Sequence, residues 1–223
     1  SSEMVKWFID HGKADKLAWD PHYGGWLGFA SDPGFTHEMG IDLQTELAKD
    51  YPGFKLNLHP MEENGSRCDW NRGLAHANNW NKLQRYGDHF KMLGTANTFQ
   101  PHGLHYMWDQ GRIHYNSHAI WFMPSAYIDE AMTENWLPNV MQTASSDEKL
   151  LDITAKMDDS GKTLALYVVN LSDQPQEAAL DIRGFKYQSK ANLWTIGNCD
   201  LTETNTDKNM YNVSPKTSQI KLS

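Results

Sequence analysis

Cysteine is scarce. Cys68 and Cys199 are the only two in 223 residues, too few and too far apart to staple the fold or to set metal-ligand spacing. A disulfide scaffold is thereby excluded, and the redox compartment is not legible. No run approaches the ~20 apolar residues that carry a helix across a bilayer. Basic charge is in the minority, with 20 Lys and Arg against 28 Asp and Glu and a net charge of −8. Such a surface argues against a nucleic-acid backbone or an anionic membrane as partner. Neutral polymers, polysaccharides among them, stay compatible. Internal repeats and low-complexity tracts are missing. No leader-like segment opens the sequence; Ser1-Ser-Glu-Met-Val-Lys-Trp-Phe8 reads instead as a helix from the interior of a longer protein.

Aromatics are plentiful: nine Trp, nine Tyr and eight Phe supply core mass, and flat faces that can stack on sugar rings. Three segments share one plan, a short apolar run ending in polar side chains. They are Leu17-Ala-Trp-Asp-Pro-His-Tyr-Gly-Gly25, Phe54-Lys-Leu-Asn-Leu-His-Pro-Met61 with Glu62-Glu63-Asn64-Gly65 behind it, and Phe90-Lys-Met-Leu-Gly-Thr-Ala-Asn-Thr-Phe-Gln-Pro101. Helical spacing separates them, with Met39, Leu43 and Leu47 inside 36–49 and Trp70, Leu74, Ala77 and Leu83 inside 68–86. A further helix is expected over 125–134. Polar residues at the C-terminal tips of strands, each followed by a helix, are where a (β/α)8 TIM barrel keeps its chemistry. Three units do not close a barrel, so either residues 1–136 are part of a carbohydrate-active barrel whose other strands lie elsewhere in the protein, the preferred reading, or they form a smaller open sheet.

From 137 onward the texture changes to short alternating runs at 151–155, 164–169, 178–182, 191–196 and 218–222, divided by turn-formers such as Asp158-Asp-Ser-Gly161. That spacing predicts an antiparallel β-sandwich over 137–223. The fold class expected is therefore α/β plus all-β, a partial barrel segment followed by a sandwich.

Glu62-Glu-Asn64, Arg72-Gly-Leu-Ala-His-Ala77, Lys91-Met-Leu-Gly-Thr-Ala-Asn97 and Ile113-His-Tyr-Asn-Ser-His-Ala-Ile-Trp121 occur in order, ahead of the sandwich. In this the chain resembles the C-terminal portion of α-L-arabinofuranosidases of glycoside hydrolase family 51. The resemblance implies a retaining glycosidase, using two carboxyl groups roughly 5 Å apart. The family's nucleophile ends the seventh strand in a Glu-(aromatic)-Asn pattern, which falls on Glu62, with Glu63 in the aromatic place and Asn64 matching. Side-chain alternation leaves both acids open: Glu62 shares a face with Leu56 and Leu58, and Glu63 shares the polar face of Lys55, Asn57 and His59. The family's acid/base glutamate sits in an Asn-Glu pair on the fourth strand, and no such pair occurs here. The resemblance thus makes the remainder of the barrel a partner of this chain. His22 and Tyr23 are similar to the sixth-strand residues that contact sugar and nucleophile. Asn97, after Ala96, is similar to the amide of the eighth-strand end.

Trp108 and Trp121 are candidates to border a sugar subsite, with packing as the equal alternative. His102, His105, His114 and His118 are read as loop histidines without a metal, because zinc needs three or four convergent ligands with an ordered outer shell. No cofactor is expected. Arabinofuranosyl-bearing plant-type polysaccharide or oligosaccharide is the implied substrate, a secreted or periplasmic location fits it, and a homo-oligomer is compatible with it.

Overall fold

The computed structural model describes residues 2–19, 35–60, 68–90, 92–94, 97–103, 110–197 and 199–222. The amphipathic helix α1 (Ser2–Asp10) turns its Val5 inward, and a one-turn 3-10 segment (Ala14–Lys16) leads into strand β1 (Ala18–Trp19). Helix α2 (Phe35–Asp50) follows, then strand β2 (Asn57–Leu58), which pairs in parallel with β1. Phe90, beyond the next helix, forms a parallel bridge to Leu58. Parallel neighbours separated by helices are what the first half of the sequence predicts. Their small core is Val5, Leu43, Leu47, Leu56 and Leu58, all buried. Gln44 of α2 fastens the segment before β2: its amide nitrogen donates to Phe54 O at 2.7 Å, and its carbonyl accepts from Leu56 N.

Helix α3 (Trp70–Arg85) is the centre of the molecule. Its composition is polar, yet Arg72, His76, Asn78, Asn79, Asn81 and Gln84 are all buried. Burial of such groups is tolerable only where they find partners. Asn81 Nδ2 donates to Asp152 O and Tyr167 O at 3.3 and 3.2 Å, and Thr154 Oγ1 returns a bond to Asn81 O at 3.1 Å. The helix opens with Asp69 as N-cap, its carboxylate accepting from Arg72 N at 3.1 Å. Removing that cap in Asp69→Ala should cost about 1 kcal/mol, read as a lower urea midpoint with an unchanged slope.

Strands β3 (Phe99–Pro101), β4 (Ile113–Tyr115) and β5 (Ile120–Phe122) form one sheet, β3 parallel and β5 antiparallel to β4. The run expected as a single strand over 90–101 is divided. Asn97 has φ 56°, a left-handed backbone conformation two residues ahead of β3. Helix α4 (Pro124–Glu134) packs on α3. Antiparallel strands then follow: β6 (Asn139–Met141), β7 (Leu151–Met157) and β8 (Leu164–Asn170) in one sheet, β9 (Lys190–Thr195) and β10 (Lys216–Lys221) in another. β6 lies where the sequence shows no alternating run. The strand expected over 178–182 is absent: Ala178–Asp181 are exposed, Leu180 by 50%, and no neighbouring strand supplies a ladder. Alternation alone does not make a strand without a partner.

Trp70 and Leu74 of α3, Ile128 and Met132 of α4, and Tyr167 and Val169 of β8 share one core, so the second half of the chain is built onto α3. The segment 199–215 completes the attachment. Its Glu203 and Leu201 carbonyls accept from Trp70 N and Asn71 N at 2.8 Å each, and Asn205 Nδ2 donates to Phe122 O and Val213 O at 2.8 and 2.9 Å.

Candidate functional site

The tips of these elements meet at the tripeptide Gln110-Gly111-Arg112, just ahead of β4. Gln100, in the middle of β3, is buried, and its Oε1 accepts from Gly111 N at 2.7 Å and Gln110 N at 3.2 Å. Arg72 Nη1, from the first turn of α3, donates to Gln110 O at 2.6 Å. The Gln110 side chain reaches Asn97, whose Nδ2 stands 3.4 Å from Gln110 Oε1. Cys68, buried just before α3, donates its thiol hydrogen to Gly111 O at 3.1 Å, with Sγ 3.4 Å from His114 Nε2. The backbone N–H and C=O groups of Gln110 and Gly111 are therefore all engaged, the amides by β3 and the carbonyls by Arg72 and Cys68. Gly111 has to be glycine, because a Cβ there would sit 2.2 Å from the Gln100 Cβ.

Arg112 carries the arrangement to α4. Its guanidinium forms an ion pair with Asp129 and approaches His76 Nδ1 at 3.4 Å. His76 Nε2 lies 2.7 Å from Asp129 Oδ1, and Trp80 Nε1 donates to the same oxygen at 2.9 Å. Burial pushes the Asp129 carboxyl upward, but the facing charge and hydrogen bond of His76, the charge of Arg112 and the Trp80 N–H outweigh it. Together they hold it well below the usual carboxylate range. A carboxyl depressed on folding contributes stability that is complete above the unfolded value and is lost as pH falls through it toward the folded one. The stability gap between the wild-type chain and Asp129→Asn should thus narrow by about 1 kcal/mol between pH 6 and pH 3, taking ~3.9 for the unfolded carboxyl. Urea unfolding at the two pH values measures it.

Of the residues singled out from the sequence, Asn97 belongs to this frame, and so does Gln100, which turns inward rather than facing a ligand. Glu62, Glu63 and Asn64, His22 and Tyr23, and Trp108 with His105 lie outside the described residues. The frame brackets two of those segments. Pro60 O accepts from Gly94 N at 2.6 Å on one side of 61–67, Cys68 and Arg72 hold the turn on the other, and 104–109 runs directly into Gln110. Trp121 is packing: it is buried, donates to Asn205 O at 3.2 Å and meets the His102 ring edge-on at 5.1 Å. His114 is buried and His118 exposed, and no group of three or more His, Cys, Asp or Glu among the described residues is placed to hold a metal ion. Sequence reasoning noted Arg72 only as part of a motif, without a role, and missed Gln110, Gly111, Arg112 and Asp129. The one local signal was an arginine beside a glycine in the first turn of a helix with a buried pattern.

Comparison with known proteins gives a consistent result. The profile of the α-L-arabinofuranosidase C-terminal domain matches residues 54–223. Among solved structures, the thermostable family GH51 α-L-arabinofuranosidase of Thermotoga petrophila RKU-1 aligns at 18% identity and a TM-score of 0.66, over 85% of this chain and 44% of that one. The arabinose complex of the Thermotoga maritima enzyme aligns at 18% identity and 0.64, over 84% and 44%. An arabinose-bound GH51 α-L-arabinofuranosidase aligns at 16% and 0.67, over 79% of this chain and 31% of that one. At such identities the likeness is one of fold, and the chain spans less than half the length of each of these structures. Compared by sequence with curated proteins, the chain matches none.

Proposed function

The chain belongs to the α-L-arabinofuranosidases of glycoside hydrolase family 51, matching their C-terminal domain over residues 54–223, and from that premise we propose that it is the C-terminal part of a retaining glycoside hydrolase. Its substrate is proposed to be an α-L-arabinofuranosyl residue on a plant-type polysaccharide or oligosaccharide. In this reading residues 1–136 are the last strands and helices of a (β/α)8 barrel completed by the rest of the protein, and 137–223 a β-sandwich. The parallel order of β1, β2 and Phe90, with α2 and α3 between them, supports the first part. The antiparallel sheets of β6–β8 and β9–β10 support the second.

Glu62 is proposed as nucleophile, with Glu63 as the other candidate. Its carboxylate attacks the anomeric carbon, the bond to the leaving oxygen breaks, and a carboxyl group from outside this chain protonates that oxygen. Water then attacks the glycosyl–enzyme ester, giving its proton to the same outside group, and the arabinose leaves with its configuration retained. Tyr23 and His22 would orient the nucleophile and the sugar. Asn64 and Asn97 would read sugar hydroxyls, amides being able both to donate and to accept, and Trp108 would offer a stacking face.

The observation that carries this reading is the family match over the segment that contains Glu62 and Asn97. It is tested by assaying the full-length protein on p-nitrophenyl α-L-arabinofuranoside beside a panel of β-xyloside, galactofuranoside and glucan substrates. Turnover on the first at 10-fold or more above the others is expected. Preference for another glycoside would move the specificity, and silence on all of them would make the chain a carbohydrate-binding or structural module.

A further inference from the structure

The Asp129 cluster sits one residue from the turn that frames the candidate site, on elements far apart in sequence. His76 and Trp80 come from α3, Arg112 from the start of β4 and Asp129 from α4. Asp129 is the acid that all three basic or N–H groups share. Its partner outside α3 among the described residues, Arg112, is covalently the next residue to Gly111. Arg112 is itself fixed in two further ways, its N–H donating to Thr98 O at 3.2 Å and its carbonyl accepting from Met123 N at 2.8 Å. A rotation of Arg112 would be felt at once by Gly111 and Gln110, whose amides are held on Gln100 and whose side chain faces Asn97. It would be felt equally by the thiol of Cys68 and the guanidinium of Arg72, which bond to the carbonyls of Gly111 and Gln110.

We propose that Asp129 is a positioning residue: through Arg112 it sets the Gln110–Gly111 turn, and through that turn the placement of Asn97 and of Cys68. A half-buried, charge-paired anchor suits that task, because a single carboxylate bound by three donors from two other elements has one low-energy arrangement. Positioning matters to the proposed reaction, where an error of about 1 Å at a reacting group costs on the order of 100-fold in rate. The kinetic part of the proposal rests on the hydrolase reading; the positional part does not.

The test uses the full-length protein with Asp129→Asn, which keeps the shape and removes the charge, and with Asp129→Glu as the conservative variant. Val5→Ala, in the core between α1 and α2, serves as a destabilised control away from the turn. The first readout is the rate at which Cys68 reacts with iodoacetamide, followed by peptide mass, with the exposed Cys199 as internal reference. Loosening of Gly111 should raise Cys68 labelling by about 10-fold in Asp129→Asn, leave Cys199 unchanged, and be partly reversed in Asp129→Glu. Val5→Ala should not reproduce it. The second readout is kcat and KM on p-nitrophenyl α-L-arabinofuranoside for Asp129→Asn, Asn97→Ala and the pair. If Asp129 acts through Asn97, the double variant loses less than the product of the two single losses. Cys68 labelling no faster than in Val5→Ala, or kinetic losses that multiply independently, would overturn the proposal. Should Asp129→Asn fail to fold, Asp129→Glu with the same two readouts decides it. Should the protein hydrolyse no furanoside, the hydrolase reading falls and the thiol readout alone decides the positioning.

Discussion

Glu62→Ala in the full-length protein is expected to lower kcat on p-nitrophenyl α-L-arabinofuranoside by at least about 10⁴-fold, the scale on which enzymes lose activity when a nucleophile is deleted. Such a loss follows from the role. Without a carboxylate at the anomeric carbon there is no covalent intermediate, and the oxocarbenium character of the transition state meets no facing charge. Added azide should restore turnover, since a small anion can enter the space the side chain leaves and form a bond to the anomeric carbon. The product is then the glycosyl azide of inverted configuration. Glu63→Ala should cost no more than roughly 10-fold, the loss of one neighbouring charge. The opposite order, with azide rescue in Glu63→Ala alone, moves the nucleophile by one residue and leaves the Gln110–Gly111 frame as described.

The largest effect expected on the fold is at Gly111. In Gly111→Ala the new methyl would sit 2.2 Å from Gln100 Cβ and 2.9 Å from Gln100 Oε1. The Cβ of Gln100 is fixed to β3 and cannot swing aside as a side-chain end would. Either β3 or the turn has to move, and the bonds from Gln110 N and Gly111 N to Gln100 Oε1 weaken together. Overpacking costs about 1–3 kcal/mol, and buried amides left without acceptors add a comparable amount. A total of about 2–4 kcal/mol would lower Tm by roughly 5–15 °C in a chain of this size. Gly103→Ala is the contrast. That glycine has φ 88° with open space around it, so its alanine variant bears only the left-handed backbone cost of about 1 kcal/mol. Equal losses at the two positions would remove the argument for a tightly held turn.

Local periodicity made the helices legible. Expected spans of 36–49, 68–86 and 125–134 are observed as Phe35–Asp50, Trp70–Arg85 and Pro124–Glu134. The longer strands were legible for the same reason, β7 to β10 falling where alternation and turn-formers place them. β6 was not, because Asn139–Met141 is short and mostly exposed, and its identity comes from pairing with Lys156 and its neighbours across the sheet. The run at 178–182 carries the same alternation as a true strand and lacks only the partner. The site divides in a similar way. Asn97 and Gln100 stand at the end of an apolar run and could be picked out; the tie between Arg72 and Gln110 spans 38 residues and that between His76 and Asp129 spans 53, distances at which sequence spacing holds no signal. The polarity of α3 likewise reads as solvent exposure until the backbone of β7 and β8 is seen to meet it.

The claim on which the rest depends is that Glu62 attacks the sugar. A 2-deoxy-2-fluoro-α-L-arabinofuranoside with a good leaving group tests it directly, because the fluorine slows hydrolysis of the ester more than its formation and lets the adduct accumulate. After incubation with the full-length protein and digestion, the peptide containing Glu62 should carry the mass of one fluoroarabinosyl unit, with fragmentation placing it on that side chain. An adduct on another carboxylate, or turnover of p-nitrophenyl α-L-arabinofuranoside with no adduct on the peptide spanning 61–67, would contradict the assignment.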